Sequence, residues 1–353
     1  MTARNGGRTQ SGGRRAARKR TPRAKRYDTP LPNAPKADDP PVDPKTGELV
    51  LFDKLDTLSD IEAREPDSKE IWYSHSILTS TLFPSTQPKP EVPFVSKSNG
   101  TYSYMLEAGV DPEKLVRKYP YGKYPRLLMA WMAKQIRACG GRKTDVVDPE
   151  KHQITIPTIY QLCEEMGVPR GGRTADALRE QLRLLLACHI SIRRTTGFAG
   201  SVVSDTVSMP LVKASRNVRN RHNEDLSGAT FILTDEVYER LKNESAPFDT
   251  RVSSYLLSGR SVLPYDLYVW LNGSMNRLKH DMVISWQWLY ERFGDGISDE
   301  SNFRKAFRRA LNKVVEVYPT VNVEVRRGDG IVLHPSPTSI ARQGRASSRE
   351  ILD

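Results

Sequence analysis

The chemistry for which this sequence is best equipped is the binding of an anion, along one face of a predicted helix at 299–317. The basic side chains of that face are Arg304, Lys305, Arg308, Arg309 and Lys313, with no acid between them. Like charges four residues apart cost an isolated helix about 0.2–0.5 kcal/mol per pair. A face that keeps such repulsions favours an anionic partner, and a merely solvated cationic face is the alternative. The major groove of duplex DNA fits, because arginine bonds bidentately to guanine and either basic residue neutralises phosphates.

The opposite face of the same helix is apolar, which is typical of a helix packed on a core. Its apolar residues are Phe303, Phe307, Ala310, Leu311, Val314 and Tyr318. Asp299 and Glu300 stand in the first turn, where the helix dipole favours negative charge. We expect Arg304, Arg308 and Arg309 to reach base edges.

A second helix, predicted at 173–188, has a weaker version of this pattern. Its basic residues are Arg173, Arg179 and Arg183, diluted by Asp176 and Glu180. Two predicted hairpins add Arg193 with Arg194 and Arg326 with Arg327. We expect the hairpin pairs to contact the DNA backbone, where contacts give affinity more than sequence preference. Ordinary solubilising charges are the alternative at each of these positions.

The elements that must position these side chains occur twice along the chain. Each copy opens with Pro-x5-Trp, at Pro125 and at Pro264, in the first turn of an apolar-striped helix. A short β-branched segment and a brief helix follow, and Leu-x4-Gly ends that helix at Gly167 and at Gly294. A longer basic helix and a two-stranded hairpin complete each copy.

Helix, short strand, helix, turn, helix, hairpin is the order of a winged helix, which is a helix-turn-helix with a β-ribbon appended. The sequence therefore predicts an α+β protein with two tandem winged-helix domains after a disordered basic arm. The expected organisation is a disordered arm at 1–47, an acidic and Pro/Ser-rich linker of irregular structure at 48–118, a first winged-helix domain at 119–258, a second at 259–340, and a tail at 341–353.

The net charge of +12 comes mostly from the arm. Residues 1–26 hold ten basic residues and no acid, so the remaining chain carries 44 basic and 42 acidic residues. The arm is expected to add DNA affinity that does not depend on sequence and falls with salt. Residues 38–70 are acidic, and either screen the arm or form a solvated linker.

Enzymatic and membrane functions find little support. The chain has no GxxxxGK[ST] phosphate loop, no pair of histidines at metal-binding spacing, and three cysteines without a CxxC motif. No stretch approaches the roughly 18 apolar residues of a membrane-spanning helix. We expect no catalytic residue, no metal, no cofactor and no membrane contact, and a location in the bacterial cytoplasm.

Five stretches of the chain together carry a resemblance to a known family. They are residues 124–131, 263–271 and 284–286, Phe303-Arg304 with Phe307, and 333–337. In these stretches the chain resembles the plasmid-encoded RepA replication-initiator family. It implies binding to repeated double-stranded sites at a plasmid origin, local opening of AT-rich DNA, and recruitment of the host initiator and replicative helicase. It also implies a homodimer that represses its own promoter.

Two other functions stay open at this stage. A winged-helix transcriptional repressor would bind DNA in the same way without an initiation role. A nickase or primase would need a catalytic site that the sequence does not reveal.

Overall fold

The structure is a computed structural model that describes most of the chain between Phe52 and Ile340. It covers residues 52–75, 77–89, 91–98, 102–110, 115, 117–198, 201–216, 228–275, 277–326 and 328–340. The predicted arm at 1–47, the tail at 341–353 and Arg327 lie outside the described residues. The part from Phe52 onward belongs to one compact unit.

The protein is a mixed α+β structure of helices and small antiparallel sheets. Its helices are α1 (Phe52–Ala63), α2 (Lys123–Ala138), α3 (Ile159–Glu165), α4 (Gly172–Ala187), α5 (Asp235–Asn243), α6 (Thr250–Leu256), α7 (Leu263–Met275), α8 (Trp286–Phe293) and α9 (Glu300–Val317). Its strands are β1 (Ile71–Ser74), β2 (Val95–Ser98), β3 (Tyr102–Glu107), β4 (Val147–Asp148), β5 (Gln153–Thr155), β6 (His189–Phe198), β7 (Ser201–Pro210), β8 (Val212–Arg216), β9 (Thr230–Leu233), β10 (Ala246–Asp249), β11 (Met282–Ser285), β12 (Asn322–Arg326) and β13 (Gly330–His334). Among the described residues, no helix combines the length and the apolar character needed to cross a membrane.

The second periodic region folds in the order that its pattern predicts. α7, β11, α8, α9 and the β12–β13 hairpin follow one another along the chain. The three strands form an antiparallel sheet in the order β11-β13-β12. Ile331 of β13 lies opposite both Ile284 and Val325. β11 therefore stands at one edge of this sheet.

A glycine at 330 allows the backbones of β11 and β13 to approach each other closely. Gly330 has a φ of +137°, and a Cβ there would lie 1.8 Å from the backbone oxygen of Ile284. Glycine also ends α3 and α8, although for different reasons. Gly167 adopts a left-handed φ of +63°, whereas a Cβ at Gly294 would meet the backbone oxygen of Tyr290 at 2.5 Å.

The first periodic region repeats this order with an insertion. α2, β5, α3 and α4 lie where the pattern predicts, and the predicted hairpin forms as β6–β7, with Ile190 opposite Met209. However, β5 pairs with β9, in the order β4-β5-β9-β8. The counterpart of the β12–β13 hairpin is therefore β8–β9. The β6–β7 hairpin, which the sequence analysis placed in that role, instead joins a separate sheet in the order β2-β3-β6-β7.

Residues 52–107 contribute regular structure where the sequence predicted an irregular linker. β1 pairs with β10, so that Trp72 lies opposite Phe248. The large side chains of this segment are buried: Trp72, Leu78, Leu82, Phe83 and Tyr104. β1 and β3 pair with β10 and β6, which lie far away in the sequence, and such pairing leaves no local periodic signal.

Buried residues of both periodic regions join in one core cluster, in place of the separate cores that the chain length allows. The first helices of the two regions meet there through Arg126 of α2 and Asp266 of α7. The guanidinium donates to both carboxylate oxygens at 2.8 Å, and both residues are buried. Arg126 also donates to the carbonyl oxygens of Phe83 and Gly122 at 2.7 Å. The pair thus fixes one region against the other.

Candidate nucleic-acid interface

Helix α9 is positioned by its N-cap and by its apolar face. The Asp299 carboxylate accepts a hydrogen bond from the Asn302 backbone N–H at 2.8 Å, and that bond lowers the pKa of Asp299. Phe303, Phe307 and Val314 are fully buried, and Ala310 and Leu311 nearly so. The five basic residues named in the sequence analysis, which we call the α9 cationic face, are thereby turned away from the core.

Within the α9 cationic face the charges are available to different degrees. Lys305, Arg308 and Arg309 are exposed, and no carboxylate of the described residues lies within ion-pair distance of them. Lys313 is half-buried. Arg304 is also half-buried and donates to the Glu300 carboxylate at 2.9 Å through Nε. The open part of the face is therefore Lys305, Arg308 and Arg309.

Trp286, at the start of α8, lies beneath two of these arginines. The guanidinium carbons of Arg304 and Arg308 stand 5.4 and 5.7 Å from its ring centroid. The indole is buried, its Nε1 donates to the Arg326 carbonyl oxygen at 3.1 Å, and its ring meets Phe307 edge-on at 5.4 Å. Trp286 therefore links the α9 cationic face to β12. No sequence pattern indicated this role for Trp286, which is one of two tryptophans that follow the short strand.

The β12–β13 hairpin presents less free charge than the sequence suggested. Arg326 donates to both oxygens of Glu324, at 3.0 and 3.3 Å, which raises the pKa of Arg326 and lowers that of Glu324. Glu324 also lies 3.7 Å from the His334 imidazole. The exposed pair is screened by solvent, so its net effect on stability is small.

Helix α4 differs from α9 in the exposure of its arginines. Arg173 is exposed, but the Arg179 side chain is only 16% exposed and pairs with Asp176 at 2.9 Å. Arg183 is half-buried. Residues 118–121 approach the helix here, since the Tyr121 backbone N–H donates to Gln181 at 2.8 Å. α4 therefore presents a narrower basic surface than its counterpart α9.

Arg193 and Arg194 are exposed on β6, which belongs to the β2-β3-β6-β7 sheet. This sheet is part of the insertion that distinguishes the first region from the second. They lie opposite Ser103 and Tyr102 of β3, and the Arg194 guanidinium stands 6.0 Å from the Tyr102 ring centroid. The structure thus places them apart from the β8–β9 hairpin. That hairpin carries Lys213, which is exposed and donates to Asp235 at 2.7 Å.

The three cysteines are buried, and the described residues contain no metal-binding cluster. Cys139, Cys163 and Cys188 are all buried free thiols, and burial raises the pKa of Cys188 to about 12. Within the described residues, no three His, Cys, Asp or Glu side chains are grouped so that they could hold a metal ion.

Comparison with known proteins supports the family resemblance. Residues 119–288 match the family model of the plasmid-encoded RepA protein. The matched segment spans α2 to the start of α8 and includes both Pro-x5-Trp motifs. No curated protein matches the chain.

Two solved structures of domains 2 and 3 of RctB are similar to this chain. One is 12% identical, has a TM-score of 0.44, and covers 74% of this chain and 98% of its own. The other is 13% identical, has a TM-score of 0.42, and covers 73% of this chain and 94% of its own.

Proposed function

Because residues 119–288 match the plasmid-encoded RepA family, we propose that this protein is a plasmid replication initiator that binds repeated double-stranded sites at an origin. In this role it promotes opening of the origin and recruitment of the host initiator and replicative helicase. The single observation that carries DNA binding is the open part of the α9 cationic face, Lys305, Arg308 and Arg309, on a helix whose other side is buried.

The proposal interprets both periodic regions as winged helices. In the second region, the order α7-β11-α8-α9-β12-β13 and the sheet order β11-β13-β12 support this interpretation. In the first region, α2, β5, α3, α4, β8 and β9 follow the same order, with the strand order β5-β9-β8. The recognition helices are then α9 and α4, and the wings are β12–β13 and β8–β9.

In the second module, we assign α9 to the major groove. Arg308 and Arg309 bond to base edges, and Lys305 neutralises a phosphate. Arg304 and Lys313 flank them on α9 and contribute positive charge to the surface that faces the DNA. Trp286 supports this assignment because cation–π contacts hold two of the guanidinium groups over a fixed ring, which lowers the entropy lost on binding. Arg326 and Arg327 are assigned to the DNA backbone.

In the first module, the exposed Arg173, Arg193 and Arg194 are assigned to phosphates. Arg179 and Arg183 are the base-edge candidates by position, but their burial makes them weaker candidates than the arginines of α9. Two modules in one chain suit successive major grooves about one turn, ~10 bp, apart. The basic part of the arm, residues 1–26, then adds affinity for any DNA. Its deletion should weaken binding to all duplexes alike and reduce the dependence of DNA affinity on salt concentration.

Protection of an origin fragment by the purified protein tests DNA binding directly. The proposal expects protection that repeats along the fragment and spans roughly two helical turns per repeat. A plasmid bearing only this gene and its neighbouring repeats then tests initiation. Autonomous replication supports an initiator, whereas protected repeats without replication would indicate a transcriptional repressor.

Supercoiled origin DNA incubated with the protein and a divalent metal tests the enzymatic alternative. The proposal expects the DNA to stay intact. A nick at a fixed position would indicate a nickase and would contradict the assignment of no catalytic residue.

A further inference from the structure

Strand β11 has an open edge with apolar side chains. It pairs with β13 on one side, and no other described strand pairs with its outer side. Met282 and Val283 are 47% and 63% exposed, and they are among the large hydrophobic residues that the described surface leaves uncovered. An open strand edge offers unpaired backbone N–H and C=O groups, which are a template for another extended chain.

A groove of about 1030 Å³ runs along this edge. Every residue of β11 lines it on one side, and Trp270, Trp288 and Tyr102 line it elsewhere. The two Trp rings lie 5.9 Å apart, and Trp288 is half-buried. We call this cleft the β11 groove. All four residues of β11 line it, so the groove gives access to the whole open edge of the strand.

The charges of the β11 groove are unevenly distributed. Arg277 and Lys279, at the end where the chain enters β11, are exposed, and no carboxylate of the described residues lies within ion-pair distance of them. Asp281 at the same end lies 3.0 Å from the His334 imidazole, so this end has two basic side chains against one acid. Asp329, the other acid in the lining, precedes Gly330, which lies opposite Ser285 at the far end of the strand. The entrance end of the groove is therefore positive.

We propose that the β11 groove binds an extended acidic segment of a partner protein, which adds to β11 as a further strand. Its backbone pairs with the open edge, its apolar side chains pack on Met282, Val283 and Trp288, and its carboxylates meet Arg277 and Lys279. Duplex DNA fits less well, because its phosphates offer nothing to the exposed apolar side chains. A single DNA strand stacks its bases on aromatic rings, but its backbone has no N–H and C=O groups to pair with the open edge. A second copy also fits less well, because its β11 is bonded to β13 and would bring a whole sheet into a walled cleft.

The test uses the full-length protein and a fluorescein-labelled peptide, Glu-Asp-Ile-Thr-Phe-Val, followed by fluorescence anisotropy. We expect saturable binding, and about tenfold weaker binding of a peptide in which Lys-Lys replaces Glu-Asp. Val283→Lys, which places a charge on the open edge, and Arg277→Glu should each weaken binding about tenfold. Val110→Lys, at a valine that is 55% exposed and lies outside the groove, should leave peptide binding unchanged.

Several outcomes would overturn the proposal. They are no saturable binding, equal binding of the lysine peptide, or binding unaffected by Val283→Lys. Displacement of the peptide by duplex DNA would assign the groove to DNA, and self-association abolished by Val283→Lys would assign it to a second copy. Circular dichroism checks that Val283→Lys is folded, and Met282→Lys replaces it if it is not. Arg308→Glu with Arg309→Glu should leave peptide binding intact, which separates this proposal from DNA binding by α9.

Discussion

Replacing Arg308 and Arg309 together by glutamate should abolish sequence-specific DNA binding while leaving the fold intact. Both side chains are exposed on α9, and no carboxylate of the described residues pairs with them. Arg308→Glu removes the cation–π contact with Trp286, which is worth about 0.5–1 kcal/mol at an exposed site, and surface substitutions otherwise change the free energy of unfolding by no more than about 0.5 kcal/mol. A glutamate at 308 also replaces a repulsion with Arg304 by an attraction across one helical turn.

The expected loss of affinity follows from the contacts removed. Each good bidentate contact to a base contributes about 1–3 kcal/mol of discrimination. Two such contacts amount to about 2–6 kcal/mol, and since about 1.4 kcal/mol is tenfold, specific binding should weaken by at least about 30-fold. Repulsion between the new carboxylates and the DNA phosphates adds to this loss.

Fluorescence anisotropy with a duplex carrying the origin repeat and with a scrambled duplex measures the effect across a salt series. Arg142→Glu with Lys151→Glu is the matched control, because it makes the same change in net charge at exposed positions outside α9. The control should keep nearly full preference for the repeat. Urea unfolding of all three proteins checks stability.

The reasoning would be refuted if the α9 variant still preferred the repeat over the scrambled duplex. It would also be refuted if the control variant lost that preference to the same extent, because net charge and not the position of α9 would then control recognition.

Three further predictions follow from buried contacts. Trp286→Phe removes the hydrogen bond to the Arg326 carbonyl and should lower the free energy of unfolding by about 0.5–1.5 kcal/mol. Fluorescence anisotropy should also show a few-fold loss of DNA affinity, and unchanged affinity would contradict the role of the indole as a support for the arginines. Asp266→Ala leaves Arg126 buried without its carboxylate and should lower the free energy of unfolding in urea by about 3–5 kcal/mol. Asp266→Leu with Arg126→Met removes both charges and should restore much of this loss. An equal loss in both variants would contradict the role of the unpaired buried charge. Burial lowers the pKa of His75, so the folded protein binds this proton less readily than the unfolded chain. Stability should therefore be present above the ordinary histidine pKa and fall as the pH drops below it, and His75→Gln should reduce that slope; an unchanged slope would contradict it.

Local patterns in the sequence predicted much of the fold. The apolar stripe and the N-terminal acids of 299–317 gave a helix boundary within one residue of α9. Pro-x5-Trp located α2 and α7, because proline is tolerated in the first helical turn and the stripe repeats every three to four residues. These signals depend on residues close together in the chain.

Features that depend on distant partners were not predictable in this way. β3 pairs with β6 across more than eighty residues, so no local pattern indicated that β6–β7 joins it. The pairing of β3 with β2 did have a local signal that was missed, because Asn99-Gly100 between two short runs is typical of a hairpin. The Arg126–Asp266 pair joins two helices, and neither residue alone indicates burial. The same limit applies in part to α4, because residues 118–121 approach this helix from far away in the sequence, whereas the Arg179–Asp176 pair is local. Of the candidate site, the position of α9 was predictable and the ring beneath it was not.

The most direct measurement of the central claim is DNA cleavage by an iron–EDTA probe attached to α9. Asn312→Cys offers an exposed attachment point beside the α9 cationic face, and the natural cysteines of the chain are buried, so labelling should be selective. If α9 enters the major groove, cleavage should concentrate at one position within each origin repeat, whereas a probe at Arg142→Cys should give none there. Uniform cleavage along the fragment, or cleavage only from the probe at 142, would contradict the account.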